Sequence, residues 1–219
     1  MAIDYNEVSR CLDEVEAELF RISDCAECEK FHRDSQLTAV ILLLLRCSSL
    51  IRSVTHLLQG NALIDGFHLV ARGFEETWNL ANDLRLASHS GRATKWLAEI
   101  NDSWVAKLRT ITEFAIGRGL KNPSLKQDYG LLSELSHPTR SAAQNSVTMC
   151  GIRQEFDGSK DQVKGEQDNC EKRVTTDLYK LLWLTLDQDT KFIPIPVNIQ
   201  NMTVSNQFVK NYGHVEPAA

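Results

Sequence analysis

Apolar residues return at three- and four-residue steps through most of the first 150 positions, the spacing that lines one face of a helix. Val8, Leu12, Val15 and Leu19 mark a first helix in this way. A second, over about 35–58, is apolar nearly all round in its early turns, as a central helix would be. A third, over about 62–87, carries Leu63, Phe67, Val70, Phe74, Trp78 and Ala81 on one stripe. His89, Ser90 and Gly91 read as a turn, followed by a fourth helix over about 92–116 that buries Leu97, Ile100, Trp104, Leu108 and Ile111. Asn122 before Pro123 joins an N-cap residue to a proline at the first helical position, the sharpest start signal in the chain. The helix it opens turns Leu125, Tyr129 and Leu132 inward and must stop near Pro138; a short sixth helix covers 139–149. No period-two alternation occurs here, so the region reads as a helical bundle.

The pattern changes at Gly151. Residues 151–169 are charged and contain glycine, which predicts a mobile loop or a small hairpin at Asp157-Gly158. A last helix over about 171–187 carries Leu178, Leu181, Leu182 and Leu184. Pro194 and Pro196 then make the segment 192–204 extended. An extended apolar arm of this kind lies in a groove of its own fold or of a partner, which favours a homodimer. The expected organisation is all-α: a bundle of six to seven helices over 1–187 and an extended C-terminal arm over 188–219.

The 219 residues are 42% hydrophobic and 24% charged, an ordinary globular composition. A formal net charge of −5 does not favour nucleic acid as a partner. The unbroken apolar run from Ala39 to Leu45 is short against the roughly 20 residues that span a bilayer, so no membrane partner is expected. The acidic N-terminus does not read as a signal peptide, and six cysteines without an export signal read as reduced thiols in the cytoplasm.

Several constellations hint at chemistry. Cys25, Cys28 and His32 share a helical face, but zinc wants four ligands, and Cys11 lies about 21 Å away along a continuous helix. No metal and no cofactor are therefore expected. Ser133 and His137 are one turn apart, without the elbow or oxyanion hole that a serine hydrolase needs. Phosphate-cradling glycine loops and His-Glu-x-x-His are absent from the sequence. Ribonucleases of the HEPN class pair an Arg with a His at a slightly longer interval than Arg52–His56 or Arg85–His89 provide.

Arg72-x3-Glu76, followed by Tyr129-x2-Leu132-Ser133-x3-His137-Pro138, resembles motifs of an uncharacterised bacterial all-helical family, a domain of unknown function. The resemblance covers about 35–150. Some members are similar to abortive-infection and HEPN-type helical proteins, which implies a role in phage defence. On a helical wheel Arg72 and Glu76 lie opposite the Phe67–Phe74–Trp78 stripe with Asp65, Asn79 and Asp83, the place of a solvated charged face. Leu69 and Leu80 flank that face, which implies a covering helix or a second subunit. Arg72, Glu76, Tyr129, Ser133, His137 and Arg140 form the candidate polar cluster, read as a structural lock with Glu76 accepting from Tyr129 or His137. No catalytic residue is assigned. The expected function is a non-catalytic interaction or regulatory module; the alternative is a HEPN-like ribonuclease or toxin acting as a dimer.

Overall fold

α1 (Tyr5–Asp24) starts where Asp4 caps it: the Asp4 carboxylate accepts from the N–H groups of Asn6 and Glu7 at 2.9 and 3.2 Å. These are donors that a first turn cannot pair internally. Val8, Leu12, Val15 and Leu19 are buried along its inner face. The structure, a computed structural model, describes residues 3–24, 35–59, 64–98, 111, 113–136 and 160–212. The further elements are α2 (Ser35–Gln59), α3 (Ile64–Arg85), a 3-10 turn (Ala87–His89), α4 (Ser90–Leu97), a helical stretch at 113–119, α5 (Pro123–Ser136), α6 (Lys160–Leu186), a second 3-10 turn (Ile199–Asn201) and α7 (Thr203–Tyr212). The fold is an all-α bundle, with no strand among the described residues.

α2 is the centre, packed against α1, α3, α4 and α6. It is long and apolar enough to cross a bilayer by length and composition. The run Ala39–Leu45 understated this, because the measure that matters is the length of the helix. In the bundle Ala39, Val40, Ile41 and Leu44 are buried among the other helices. Two of its polar positions tie it to α1: Ser48 donates to Glu16 at 2.5 Å, and Arg52 holds Glu16 and Asp13 at 2.7 and 2.8 Å.

Three elements depart from the sequence expectation. The helix expected over 92–116 ends at Leu97, with Ala98 extended beyond it (φ −60°, ψ 130°); residues 99–110 lie outside the described residues, and the chain is helical at 111 and 113–119. Helix also begins at Ser90 instead of turning there, directly after the 3-10 turn. The loop expected over 151–169 gives way to helix from Lys160, so α6 is much longer than its apolar stripe. Lys, Gln and Glu are good helix formers, and a helix that projects past the core shows no stripe to read. Finally, the C-terminal arm is extended only as far as its prolines require; 3-10 and α-helix follow, ending at Tyr212.

The arm occupies a groove of its own chain, burying Ile195, Met202 and Phe208. Two carboxylates of α1 receive it. Glu14 accepts from the N–H groups of Val204 and Ser205 at 3.0 and 2.8 Å, capping α7 from another helix. Glu18 accepts from the N–H of Asn198 at 2.8 Å and from Nδ2 of Asn201 at 2.6 Å. The helix expected over 139–149, the hairpin at Asp157-Gly158 and the Cys25–His32 motif lie outside the described residues.

Candidate functional site

α5 starts as its sequence dictates: Asn122 Oδ1 accepts from the N–H of Ser124 at 3.1 Å, and Pro123 takes the first position. It packs against α3 and lays Tyr129 over the Arg72–Glu76 pair. Arg72 Nε donates to Glu76 Oε1 at 2.9 Å, Tyr129 Oη donates to the same oxygen at 3.2 Å, and the guanidinium carbon sits 5.9 Å from the Tyr129 ring centre. Burial, together with the Glu76 carboxylate, pushes the Tyr129 phenol above its ordinary value, so it stays protonated and donates. Ser133 is half-buried on the same helix, one turn on. His137 and Arg140 lie outside the described residues. The structure thus unites Arg72, Glu76 and Tyr129 in a hydrogen-bonded triad under a covering helix of the same chain.

The face drawn as solvated is not solvated further along. Asn79 and Asp83 are buried, because α5 and the stretch 113–119 lie over α3 where the wheel placed water. Asp83 gathers three cationic or basic groups: Arg92 at 2.7 Å, Arg118 at 3.1 Å and His89 Nδ1 at 3.5 Å. Arg118 Nη1 also stands 3.2 Å from His89 Nε2, and His89 Nδ1 is 3.0 Å from the Asp83 carbonyl oxygen. An arginine can only donate, so Nε2 accepts, and the ring proton is assigned to Nδ1. Both imidazole nitrogens are then engaged. Beside this cluster lies a partly open cleft of about 170 Å³.

Arg85, next to it in sequence, is wholly buried. It donates from Nη1 to the Leu184 carbonyl, from Nη2 to the Asp187 carbonyl, and from Nε to the Ile193 carbonyl at 3.1 Å. These are carbonyls at and beyond the end of α6, where intrahelical donors run out. Gln36 performs the matching task for α3, donating from Nε2 to Leu84 and Leu86 carbonyls at 2.7 and 2.6 Å.

A third cluster escaped the sequence reading. Glu75, on the inner face of α3, receives Arg173 and Lys180 from α6, and Arg173 Nε also donates to Asp177 at 2.8 Å. Burial raises the Asp177 carboxyl from 3.8 to about 6, against the opposing pull of Arg173 and Lys180. Two carboxylates and two cations balance, which lets four charges enter the core. The signal was present: Glu75 stands three residues before Trp78 and four after Ala71, and Asp177 three after Val174 and four before Leu181, all buried apolar positions. A charge inside an apolar stripe marks a buried pair.

Among the described residues no group of three His, Cys, Asp or Glu side chains is placed to hold a metal ion. Cys11, Cys47 and Cys170 are buried thiols; burial pushes the Cys11 thiol up to about 12 and Cys47 well above the ordinary thiol value. Comparison of the chain with protein-family models, with curated proteins and with solved structures finds no match.

Proposed function

We propose that this chain is a non-catalytic interaction or regulatory module that acts in the cytoplasm through a protein partner. The reading rests on one observation above all: Arg85, the cation of the Arg85–His89 pair, is spent on backbone carbonyls and has no exposed surface. RNA cleavage needs a cation and an imidazole that both reach the substrate. Arg52, in the other pair, is held by Glu16 and Asp13, while His56 points to solvent. The motif resemblance to an uncharacterised bacterial helical family, some of whose members are similar to abortive-infection proteins, supports a role in bacterial phage defence.

A second copy of the chain remains one form of the partner. The arm that argued for it, however, already fills a groove of its own bundle, so a heterologous protein is the favoured form. The experiment is affinity capture from the native host, with protein and nucleic acid both analysed, beside incubation of the purified protein with labelled single-stranded RNA. A stoichiometric protein partner and intact RNA are expected. RNA cleavage that disappears in His89→Ala would overturn the reading in favour of the HEPN-like ribonuclease.

A further inference from the structure

Charge is unevenly spread over this chain. The whole carries a formal −5, yet α4 and residues 113–121 hold Arg92, Lys95, Arg118 and Lys121 against a single acidic residue, Glu113. Asp83, the carboxylate beneath them, is buried and brings one charge to two guanidiniums, Arg92 at 2.7 Å and Arg118 at 3.1 Å. Both arginines reach it with Nη1, so their Nε and Nη2 groups make no hydrogen bond among the described residues. Neither side chain is sealed: Arg92 is 30% and Arg118 37% exposed. A buried anion thus positions two cations whose remaining N–H donors reach the surface.

Phe114 supplies the apolar half of this face. Its ring is 48% exposed, and the Arg92 guanidinium carbon lies 3.8 Å from the ring centre, a cation–π contact that fixes the plane of the fork. Ala115, next in the same helical stretch, lines the cleft of about 170 Å³ together with Leu86, Phe192 and Arg118. A cavity of about 150 Å³ holds one benzene ring, so this cleft admits one aliphatic or phenyl side chain. Arginine beside an aromatic ring, next to an apolar pocket, is the composition enriched where protein interfaces concentrate their binding energy.

We propose that this face docks an acidic segment of a protein partner: carboxylates of the segment accept from Arg92 and Arg118, and a neighbouring apolar side chain enters the cleft. The inference rests on the interaction role proposed above and names the chemistry of its partner. Nucleic acid suits the face less well, because a phosphate backbone rewards a long basic stripe. Here two arginines share one carboxylate, within a chain of net −5.

The probe is a fluorescein-labelled peptide of glutamates around a single leucine, beside its glutamine counterpart and a labelled oligouridylate, all read by anisotropy on the full chain. Saturable binding of the glutamate peptide is expected, at least about tenfold tighter than the glutamine form and weakened by added salt. Phe114→Glu leaves Asp83 both its arginines and sets a competing carboxylate beside Arg92. It should weaken the peptide at least about threefold while the helical circular dichroism is kept. Lys210→Gln, on α7, changes the net charge equally but away from the face, and should bind as the parent does. Should Phe114→Glu fail to fold, Arg118→Gln takes its place under the same criteria, since Arg92 still pairs with Asp83. No saturation by the glutamate peptide at low salt, equal binding of the glutamine form, tighter binding of the oligouridylate, or undiminished binding by the folded variant overturns the proposal. Affinity capture separates it from the interaction role: a partner retained equally by the parent and Phe114→Glu keeps the role and overturns this face. Peptide binding as expected without any captured partner supports the face and overturns the role.

Discussion

The guanidinium of Arg85 meets the carbonyl oxygen of Leu184 across 99 residues of sequence, joining the last turns of α3 and α6. Its planar fork reaches the Asp187 and Ile193 carbonyls as well, which one ammonium on a flexible stem cannot copy. Arg85→Lys should therefore lower stability by about 2–4 kcal/mol. Urea denaturation measures it; a loss under about 0.5 kcal/mol would mean the carbonyls find other donors.

Tyr129 and Arg72 share one oxygen of Glu76, so their contributions should not add. Tyr129→Phe is expected to cost about 1 kcal/mol, and the double-mutant cycle with Arg72→Met to show a coupling of about 0.5–1.5 kcal/mol. Additive losses would place the tyrosine outside the lock.

Asp177 makes stability depend on pH in an unusual direction for a carboxylate. Its folded value, about 6, lies above the unfolded 3.8. The folded state therefore holds the proton more tightly, and the contribution is complete below about pH 4 and fades as pH rises through about 6. Melting curves of Asp177→Asn should lack this fall between pH 4 and pH 6 that the parent shows. Parallel pH profiles for the two proteins would refute the assignment.

Glu18 acts in the opposite sense. Burial alone would raise its carboxyl, but Arg21 and the donors of Asn198 and Asn201 hold it below the ordinary 4.5. Its contribution is present above that value and lost as pH falls through the folded one. Glu18→Gln should destabilise by about 1–3 kcal/mol near neutrality, with the gap closing in acid. Hydrogen exchange should report the loss first at residues 198–205. A gap that stays constant down to acid pH would count against this account.

What could be read from the sequence was whatever repeats with the helix. The stripes of α1, α2 and α3 were visible because their described residues, such as Leu12, Leu44 and Phe74, meet the core, and Asn122-Pro123 because capping is local. The early turns of α6 left no stripe: Gly165, Asp168 and Asn169 are exposed there. The Arg72–Glu76–Tyr129 triad was named from a motif resemblance, whereas the wheel alone put Arg72 and Glu76 in water. The ties of Arg85 and Glu75 join positions far apart in the chain, and no periodicity reports which distant carbonyl or cation completes a charge. Glu75 and Asp177, passed over in the sequence, are charges within apolar stripes, a clue to burial though not to partners.

The two carboxylates that receive the C-terminal arm stand on α1, while the donors they need, from Asn198 to Ser205, are made 180 to 191 residues later. Through the synthesis of the helices between them Glu14 and Glu18 must keep their water, and one side of α1 stays unsealed. The latch closes only when residues past 200 emerge, so α1 is sealed last although it is made before every other helix of the bundle.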